Sequence, residues 1–243
     1  MIYVTGDLHG EIDLPKLDLF LEKAGKNLNR NDYMIILGDF GMIWSADTQY
    51  GYFGDMIRIH EYFEQKYPWT TLFIDGNHEN FVHLKQFRKK KWNGGTVSFL
   101  TEHCIWLRRG QIYTIDGSTF LTIGGAYSID KAWRTPLISW WKDEAITRRD
   151  INTAKRNLAL YINKVDYILT HCAPTPIHQT IAHQEKYNDN AHGNKPDTCN
   201  EALLQEINEI ADFKKWYFGH YHINRTFEDG KYECLYRAIK PLT

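Results

Sequence analysis

Residues 33–39 have the sequence Tyr-Met-Ile-Ile-Leu-Gly-Asp, in which a continuous apolar run stops at a glycine and a carboxylate. The same form occurs at residues 2–7, Ile-Tyr-Val-Thr-Gly-Asp, and at residues 71–77, Thr-Leu-Phe-Ile-Asp-Gly-Asn. Short continuous apolar runs are typical of strands in a parallel sheet that is covered on both faces. Between them, residues 14–24 and 56–63 carry apolar side chains at helical spacing. This alternation predicts βαβ units and an α/β fold.

The second half of the chain predicts a second sheet. β-type runs joined by short turns, which are typical of neighbouring antiparallel strands, occupy residues 97–100, 104–107, 111–115 and 119–123. Residues 173–199 are rich in Pro, Asn, His and Asp, and we expect a long surface loop or lid there, with solvated histidines at 178, 183 and 192. Because no Pro- or Ser-rich linker divides the chain, one α/β domain spanning 1–243 and containing two sheets is expected.

Composition excludes several classes of protein. The chain has 243 residues, of which 43% are hydrophobic, and a formal net charge of −1. This apolar content argues against global disorder, and the near-zero charge argues against nucleic-acid binding through bulk electrostatics. The 4 cysteines contain no Cys-x-x-Cys pattern, which argues against a disulfide framework or a thiolate zinc site. Without a membrane-spanning stretch or a signal-peptide pattern, the sequence predicts a cytoplasmic protein that does not bind membranes.

Polar residues follow five of the predicted strands directly. Because the carboxyl ends of parallel strands share one edge of a sheet, we expect these side chains to meet in one place. The candidate ligands are Asp7, His9, Asp39, Asn77, His171, His220 and His222. Imidazole, carboxylate and amide donors without sulfur suit Mn²⁺, Fe²⁺ or Zn²⁺ rather than Cu(I) or Ca²⁺. Seven ligands exceed the needs of one tetrahedral zinc, so the set favours two ions that share a carboxylate.

In this order, the motifs resemble those of the calcineurin-like metallophosphoesterases, and in particular small bacterial and phage-type members. The motifs are Gly-Asp-x-His-Gly at 6–10, Gly-Asp at 38–39, Gly-Asn-His-Glu at 76–79, a histidine at 171 and Gly-His-x-His at 219–222. The resemblance implies a four-layer α-β-β-α sandwich of two mixed sheets, with a dinuclear metal site at the strand C-terminal edge. It further implies that one ion is held by Asp7, His9, Asp39 and His222. The other would be held by Asp39, Asn77, His171 and His220, with Asp39 bridging.

The implied activity is the two-metal-dependent hydrolysis of phosphomonoesters or phosphodiesters. Two divalent ions about 3.5–4 Å apart lower the pKa of bound water, so a hydroxide held between them is the expected nucleophile. Mn²⁺ is the expected metal, with Fe or Zn²⁺ as alternatives. His78 adjoins Asn77 but lies outside the implied ligand set, and it is the candidate general acid because the pKa of histidine lies near neutrality.

The second motif departs from the pattern of the protein-phosphatase branch. Residues 38–44 are Gly-Asp-Phe-Gly-Met-Ile-Trp in place of Gly-Asp-x-x-Asp-Arg-Gly. The acidic partner that would orient His78 and the arginine that would grip phosphate are both missing there, which weighs against serine/threonine phosphoprotein specificity. We expect Lys131 and Arg134, which follow a predicted strand, to bind the phosphate together with Asn77.

The substrate remains open at this stage. A small or nucleotide-like phosphorylated substrate is favoured, and the alternatives are a protein serine/threonine phosphatase and a nucleic-acid phosphodiesterase. The basic run Lys85–Lys91 could grip a nucleic-acid backbone, but a solvated helix end is favoured because the net charge is −1. The non-enzyme alternative is an inactive, metal-stabilised binding scaffold, against which the full ligand set argues. The oligomeric state is not predicted.

Overall fold

A computed structural model describes residues 1–24, 27–45, 50–184 and 199–242. Its strands are β1 Ile2–Thr5, β2 Tyr33–Leu37, β3 Thr70–Ile74, β4 Lys89–Trp92, β5 Gly95–Phe99, β6 Cys104–Leu107, β7 Gln111–Ile115, β8 Ser118–Ile123, β9 Lys164–Thr170, β10 Asp212–Phe218, β11 Arg225–Phe227, β12 Tyr232–Cys234 and β13 Ile239–Leu242. Its α-helices are α1 Pro15–Ala24, α2 Tyr50–His60, α3 Phe81–Leu84, α4 Arg148–Leu160, α5 Thr175–Gln184 and α6 Cys199–Asn208. A π-helical segment, Glu61–Lys66, continues α2.

The strands form two mixed sheets. The first has the order β13-β1-β2-β3-β6-β5-β4, and the second has the order β11-β12-β10-β9-β8-β7. Within the first sheet, β1, β2, β3 and β6 run parallel to one another, and within the second sheet β8, β9, β10 and β12 do the same. The remaining strands pair antiparallel at the ends of these sets. The carboxyl ends of the parallel strands therefore lie along one edge of each sheet.

Alternation of side chains along the strands produces the layers. In β2, Ile35 and Leu37 are buried between the two sheets, where they join apolar side chains of the second sheet such as Leu169. Met34 and Ile36 point to the opposite face and pack in a second cluster with α1 and α2. A third cluster joins the outer face of the second sheet to α4, α5 and α6. The predicted four-layer α-β-β-α sandwich is confirmed.

The prediction that β5, β6, β7 and β8 are antiparallel neighbours is wrong for the middle pair, β6 and β7. β5 pairs antiparallel with β6, and β7 pairs antiparallel with β8, as expected. However, β6 belongs to the first sheet and β7 to the second, so the chain crosses between the sheets at residues 108–110. Local strand patterning specifies that a segment is extended, but it does not specify its partner.

The long loop predicted at 173–199 is also wrong over part of its length, because Thr175–Gln184 forms α5. The reason is burial: Ile177 and Ile181 belong to the core cluster that covers the second sheet. His178 is not solvated as predicted, because it is buried with Nδ1 3.0 Å from the hydroxyl of Tyr221. His183 is exposed as predicted. His192 and the remainder of the predicted loop up to residue 198 lie outside the described residues.

The basic run Lys85–Lys91 lies at a helix end only at Lys85, which is the C-cap of α3. Residues 81–84 form the short helix α3, and Lys89–Trp92 form β4, which occupies one end of the first sheet in its strand order. Lys89, Lys90 and Lys91 are all exposed on this strand. Lysines on an edge strand oppose pairing with the edges of other sheets, which accounts for their tolerance in a strand.

Candidate metal centre

The seven predicted ligands lie in loops that follow five strands at a common edge of the two sheets. Asp7 and His9 follow β1, Asp39 follows β2, Asn77 follows β3, His171 follows β9, and His220 and His222 follow β10. Three overlapping groups of three side chains lie here. Within each group, every residue offers one potential ligand atom, and these atoms all lie within 4.8 Å of one another. These groups are Asp7–His9–His222, His9–Asp39–His78 and Asp7–Asp39–His171. Loops that are distant in sequence therefore converge on one cluster of carboxylates and imidazoles.

Asp39 is buried at the centre of this cluster. Its Oδ2 lies 3.3 Å from Nε2 of His9, and its Oδ1 lies 3.2 Å from Nε2 of His171. Oδ1 also accepts hydrogen bonds from the backbone N–H groups of Asn77, at 2.8 Å, and His78, at 2.7 Å. One carboxylate thus faces histidines from both sheets, which is the position that a shared ligand requires.

Asp7 is the second buried carboxylate of the cluster. Its Oδ1 accepts the backbone N–H of His220 at 2.9 Å and lies 3.9 Å from Nδ1 of His171. Its Oδ2 lies 3.0 Å from Nε2 of His222, yet it accepts no well-aligned hydrogen bond from any described residue. Because a buried carboxylate oxygen without a partner is costly, this atom marks a place for a cation.

The backbone is left-handed at four of the seven candidate ligands. The φ angles are 47° at His9, 45° at Asp39, 70° at His220 and 54° at His222. Such conformations cost about 1–3 kcal/mol each outside glycine, and they persist where the surrounding structure imposes them, often at functional sites. The folded chain therefore holds these loops in strained conformations that direct their side chains to one point.

Two glycines allow the carboxylates to approach neighbouring backbone closely. A Cβ atom at Gly76 would lie 2.1 Å from Oδ1 of Asp39, and one at Gly219 would lie 2.2 Å from Oδ1 of Asp7. Any larger residue at either position would displace a candidate ligand. The glycines that end the strands are thus required by the packing of the site.

Charges in the cluster compensate one another. Burial favours the neutral acids, but neighbouring histidines outweigh burial and hold the pKa of Asp7 and of Asp39 below the usual range. Burial opposes protonation of His9 and His171, but the carboxylates raise the pKa of each to about 9. Burial and the nearby His171 lower the pKa of His220 to about 3. Protons on two histidines therefore balance the buried carboxylates, and bound cations would take over this role as those protons leave.

This donor set fits divalent metal ions. It combines carboxylate, imidazole and amide donors without sulfur, which suits Mn²⁺, Fe²⁺ and Zn²⁺. Two buried carboxylates, Asp7 and Asp39, lie side by side with imidazole nitrogens around them, which is an arrangement that a divalent cation would stabilise. The residues present can thus hold metal at this edge of the sheets.

Two polar residues outside the predicted set, the buried Asp13 and the half-buried Lys16, hold the first ligand loop in place. Oδ2 of Asp13 lies 2.8 Å from Nδ1 of His9, so this carboxylate orients the ring and leaves Nε2 facing Asp39. The ammonium of Lys16 donates hydrogen bonds to the backbone carbonyl oxygens of Gly6 and Asp7. Sequence reasoning missed both residues, although a carboxylate four residues after a candidate ligand was a usable signal for Asp13.

Glu79 connects the loops after β2 and β3. This buried carboxylate accepts the backbone N–H groups of Phe40 at 2.7 Å, Gly41 at 3.2 Å and Gly76 at 3.3 Å. Burial, with the nearby charge of Asp39, raises its pKa to about 8. Glu79 is the last residue of the Gly-Asn-His-Glu motif, but the motif alone did not reveal this role.

A hydrogen-bonded chain orients Asn77. Its Oδ1 lies 3.2 Å from Nε2 of His171, and its Nδ2 donates to Oγ of Ser128 at 3.2 Å. The Ser128 hydroxyl in turn donates to the buried carboxylate of Glu144 at 2.7 Å. Nδ1 of His171 lies 2.7 Å from the carbonyl oxygen of Leu37, which fixes the ring with Nε2 toward the cluster. Ser128 and Glu144 come from a segment that carries no recognisable motif.

His78 and Arg134 lie together beside the cluster. The two terminal guanidinium nitrogens of Arg134 lie 3.4 Å from Nδ1 and 3.2 Å from Nε2 of His78. Asp130 holds the guanidinium through an Nε–Oδ1 contact of 2.6 Å, and the ring of Trp44 stacks on His78 at 5.7 Å. Burial, with the nearby arginine, lowers the pKa of His78 despite the attraction of Asp39.

Lys131 has a different environment from Arg134. Its ammonium lies over the ring of Trp140, 4.3 Å from the centroid, and 5.6 Å from that of Tyr127. None of its described contacts is with a candidate metal ligand. Of the two predicted phosphate-binding residues, the structure therefore brings Arg134 to His78 and leaves Lys131 among aromatic rings.

Comparison with protein families agrees with this site. The family model described as calcineurin-like phosphoesterase matches residues 1–224. The chain therefore belongs to the calcineurin-like phosphoesterase family, and it is a metal-dependent hydrolase of the phosphoesterase class. A comparison with curated proteins finds no match.

Solved structures match this chain at low sequence identity. One covers 96% of this chain and 88% of its own length, with 8% identity and a TM-score of 0.51. A putative 5'-nucleotidase from Staphylococcus aureus matches at 14% identity and a TM-score of 0.48 over 98% of this chain, which spans 49% of that protein. Phosphopantetheinyl hydrolase from Mycobacterium tuberculosis matches at 14% identity and a TM-score of 0.40, over 97% of this chain and 89% of that one. The first of these matches bears on the fold alone, because its identity is only 8%.

Among the residues that the structure describes, no helix has both the length and the apolar character needed to cross a bilayer.

Proposed function

We propose that the chain hydrolyses phosphomonoesters or phosphodiesters with two divalent ions bound at the strand edge. Asp7, His9, Asp39 and His222 would hold one ion. Asp39, Asn77, His171 and His220 would hold the other. The observation that carries the proposal is the convergence of three overlapping Asp/His groups that share Asp7, His9 and Asp39. Mn²⁺ is the metal that we propose, with Fe or Zn²⁺ as alternatives that the same donors accept.

The protein supplies orientation and charge around the reacting ester. When bound, the divalent ions lower the pKa of water and neutralise phosphoryl oxygens. Asp39 is the proposed shared ligand because it faces His9 and His171 from opposite sides. The chain from Glu144 through Ser128 holds the Asn77 amide in a fixed orientation. These contacts restrict the rotamers of the site before substrate arrives, which lowers the reorganisation that catalysis requires.

Arg134 is the residue proposed to bind the phosphoryl group. The guanidinium is anchored through Nε by Asp130, and its terminal nitrogens reach the mouth of the site beside His78. Planar guanidinium groups pair well with phosphate oxygens. This arginine would replace the one that is missing from residues 38–44. Asn77 would share in phosphate binding, while Lys131 would add positive charge at a greater distance.

His78 is the proposed general acid for the leaving group. Its imidazole lies between the metal cluster, through Asp39 at 4.0 Å, and the Arg134 guanidinium. An ester gripped by Arg134 would therefore place its leaving oxygen within reach of this ring. A bound phosphoryl anion also favours the charged form of a neighbouring imidazole.

Small or nucleotide-like phosphate esters are the proposed substrates. Trp44 stacks on His78 in the segment where protein phosphatases carry an acidic residue and an arginine, which disfavours a phosphoprotein phosphatase. A nucleic-acid phosphodiesterase is the second candidate, because the exposed lysines of β4 could contact a phosphate backbone.

Asp39→Asn tests the proposed centre directly. We expect the unaltered chain, stripped of metal and reloaded with Mn²⁺, to bind two ions and to cleave 4-nitrophenyl phosphate or its phosphodiester. The variant should bind fewer ions and lose activity by a factor of about 10² or more, since a shared ligand contributes to both ions. The measurements are metal analysis after dialysis and steady-state turnover of both esters.

The matched control is Asp212→Asn, which alters an exposed aspartate of β10 far from any ligand loop. It should retain both metal content and turnover. Two bound ions with no turnover of either ester would favour the inactive scaffold and overturn the proposed enzyme. Full activity in Asp39→Asn would remove Asp39 from the ligand set.

A further inference from the structure

A cavity of about 520 Å³ lies between the edges of the two sheets, and we call it the inter-sheet cavity. It is lined by Lys89 from β4, Thr96 from β5, Gln111 from β7 and the first residues of α4. No candidate metal ligand lines it. The cavity is therefore separate from the proposed catalytic site, and its volume falls within the range of pockets that bind small ligands.

Positive charge dominates the inter-sheet cavity. Its cationic lining residues are Lys85, Lys89, Arg108, Arg109 and Arg149, and its carboxylates are Asp143 and Asp150. Two of these cations, Lys85 and Arg109, already form ion pairs. Lys85 pairs with Asp143, and Arg109 donates to Asp75 through Nε at 2.6 Å and lies 3.6 Å from Asp150.

The other three cations form no ion pair with any described residue. Lys89 and Arg149 are exposed at opposite walls, on β4 and at the start of α4. The guanidinium of Arg108 lies on the ring of Trp106, 3.6 Å from its centroid. Three cations without an ion pair, from β4, from the connection between β6 and β7 and from α4, thus line one cavity.

Arg108 contributes a positive charge whose position in the cavity wall is fixed. Its Nη1 is buried, and no described residue accepts a hydrogen bond from it. This nitrogen is itself inaccessible to solvent, so Arg108 would act on an anion in the cavity through the positive charge of its guanidinium, which lies in the cavity wall. The Trp106 ring keeps the guanidinium against the wall, so its orientation is fixed before a ligand binds.

We propose that the inter-sheet cavity binds a small oligophosphate, an anion that carries two or more phosphate groups. Three unpaired cations match the charge of such an anion better than that of a single phosphate. The apolar lining side chains Trp106 and Phe81 are themselves buried, so they offer no open ring face for a nucleobase to stack on. The ligand is therefore recognised by its phosphates.

The test measures binding of methylenediphosphonate, whose P–C–P linkage resists hydrolysis, to the metal-loaded full-length chain by calorimetry. We expect two binding events per chain, one at the metal centre and one in the cavity. The double substitution Lys89→Gln with Arg149→Gln should weaken the cavity event about tenfold or more, because charge-assisted contacts are lost. Turnover of 4-nitrophenyl phosphate should stay unchanged, since neither residue is a proposed metal ligand or contacts His78 or Arg134, and an ester this small has no nucleic-acid backbone for the lysines of β4 to contact.

The matched control is Lys90→Gln with Arg156→Gln, which removes the same charge from the same two elements. Lys90 extends over the ring of Phe99 and Arg156 lies further along α4, and neither lines the cavity. This control should keep both events. Equal weakening by both double variants would indicate diffuse attraction of a polyanion, as for a nucleic-acid strand, and would overturn the proposal.

Failure of the cavity site can be distinguished from failure of the proposed function. Asp39→Asn should lose the event at the metal centre and keep the event in the cavity. A single event that Asp39→Asn abolishes would overturn the cavity site while leaving the proposed phosphoesterase intact. Conversely, the chain could fail to hydrolyse either ester and still show a cavity event that Lys89→Gln with Arg149→Gln weakens. That result would overturn the proposed phosphoesterase while leaving the cavity site intact.

Discussion

At the scale of single residues, the contact between Arg134 and His78 joins two segments that lie 56 positions apart. Arg134 is aligned by Asp130 and by the carbonyl oxygen of Ser139, at 3.1 Å from Nη1. The ring of Trp44 lies near both side chains, 5.7 Å from the ring of His78 and 5.9 Å from the guanidinium carbon of Arg134. The two side chains therefore have restricted freedom, which favours roles in positioning a phosphoryl group and protonating its leaving group.

His78→Ala should reduce kcat according to the leaving group. General acid catalysis contributes about 10²–10⁴-fold, so an alkyl phosphate should lose about this factor. 4-Nitrophenyl phosphate should lose much less, because nitrophenolate leaves without a proton. Steady-state kinetics across a series of esters with leaving groups of different pKa measures the difference as a slope.

His60→Ala is the control for that series, since His60 is exposed at the end of α2 and lies outside the ligand loops. It should leave the slope unchanged. Equal losses for alkyl and nitrophenyl esters in His78→Ala would instead assign His78 a positioning role.

At the scale of elements, the second sheet depends on polar links between its strands as well as on its apolar core. Asp166 of β9 accepts hydrogen bonds from N–H and Oγ–H of Thr119 in β8, both at 2.8 Å. It also pairs with Lys214 of β10 at 2.7 Å. β9 and β10 lead directly into the loops that carry His171 and His220, so these links stabilise strands on which the site is built.

Asp166→Asn should destabilise the fold by about 1–2 kcal/mol at pH 7, because hydrogen bonds to a charged acceptor are lost. Burial raises the pKa of Asp166, but Lys214 and Thr119 outweigh burial and lower the pKa below the ordinary 3.8. A lowered folded pKa means that the contribution is complete above pH 3.8 and is lost as the pH falls through the folded value. Urea unfolding at pH 7 and pH 3 measures both stabilities, and the gap between variant and parent should shrink at pH 3.

Asp212→Asn again provides the comparison, because its pairing with Lys164 is highly exposed and exposed ion pairs contribute little. It should have almost the same stability as the parent at both pH values. A pH-independent deficit in Asp166→Asn would assign the effect to packing and not to the charge.

At the scale of the whole molecule, the two sheets meet at the ligand cluster. Asp7, Asp39 and Asn77 come from the first sheet, whereas His171 and His220 come from the second. An ion held by both sets would link the sheets across the central core. Ligands that bind the folded state alone stabilise it, so metal content and stability should be coupled.

Removal of metal should lower Tm. One ion present at 100 times its Kd stabilises the fold by about 2.7 kcal/mol, which corresponds to about 5–10 °C for a chain of this size. Thermal unfolding of Mn²⁺-loaded and chelator-treated protein, followed by circular dichroism, measures the shift. Asp39→Asn should show a smaller shift, and identical shifts in parent and variant would place the stabilising ion elsewhere.

The sequence predicted the frame of the molecule and the strand-end loops that the fold brings together. Apolar runs that end in Gly-Asp or Gly-Asn specify strands and strand-end loops locally, and parallel strands bring those loops to one edge. For this reason Asp7, Asp39 and Asn77 could be placed together before the fold was seen. The residues that support them, such as Glu79 and Lys16, were not predicted, because their role is to contact backbone groups of distant loops.

Tertiary structure alone decided the remaining features. It separated β6 from β7 into different sheets, buried Ile177 and Ile181 so that α5 forms, and brought Arg134 rather than Lys131 to His78. It also created the inter-sheet cavity from segments that carry no shared motif. Local sequence fixes backbone preference and the chemistry available at each position. Which side chains meet is decided by burial and pairing between distant segments, and these depend on the whole chain at once.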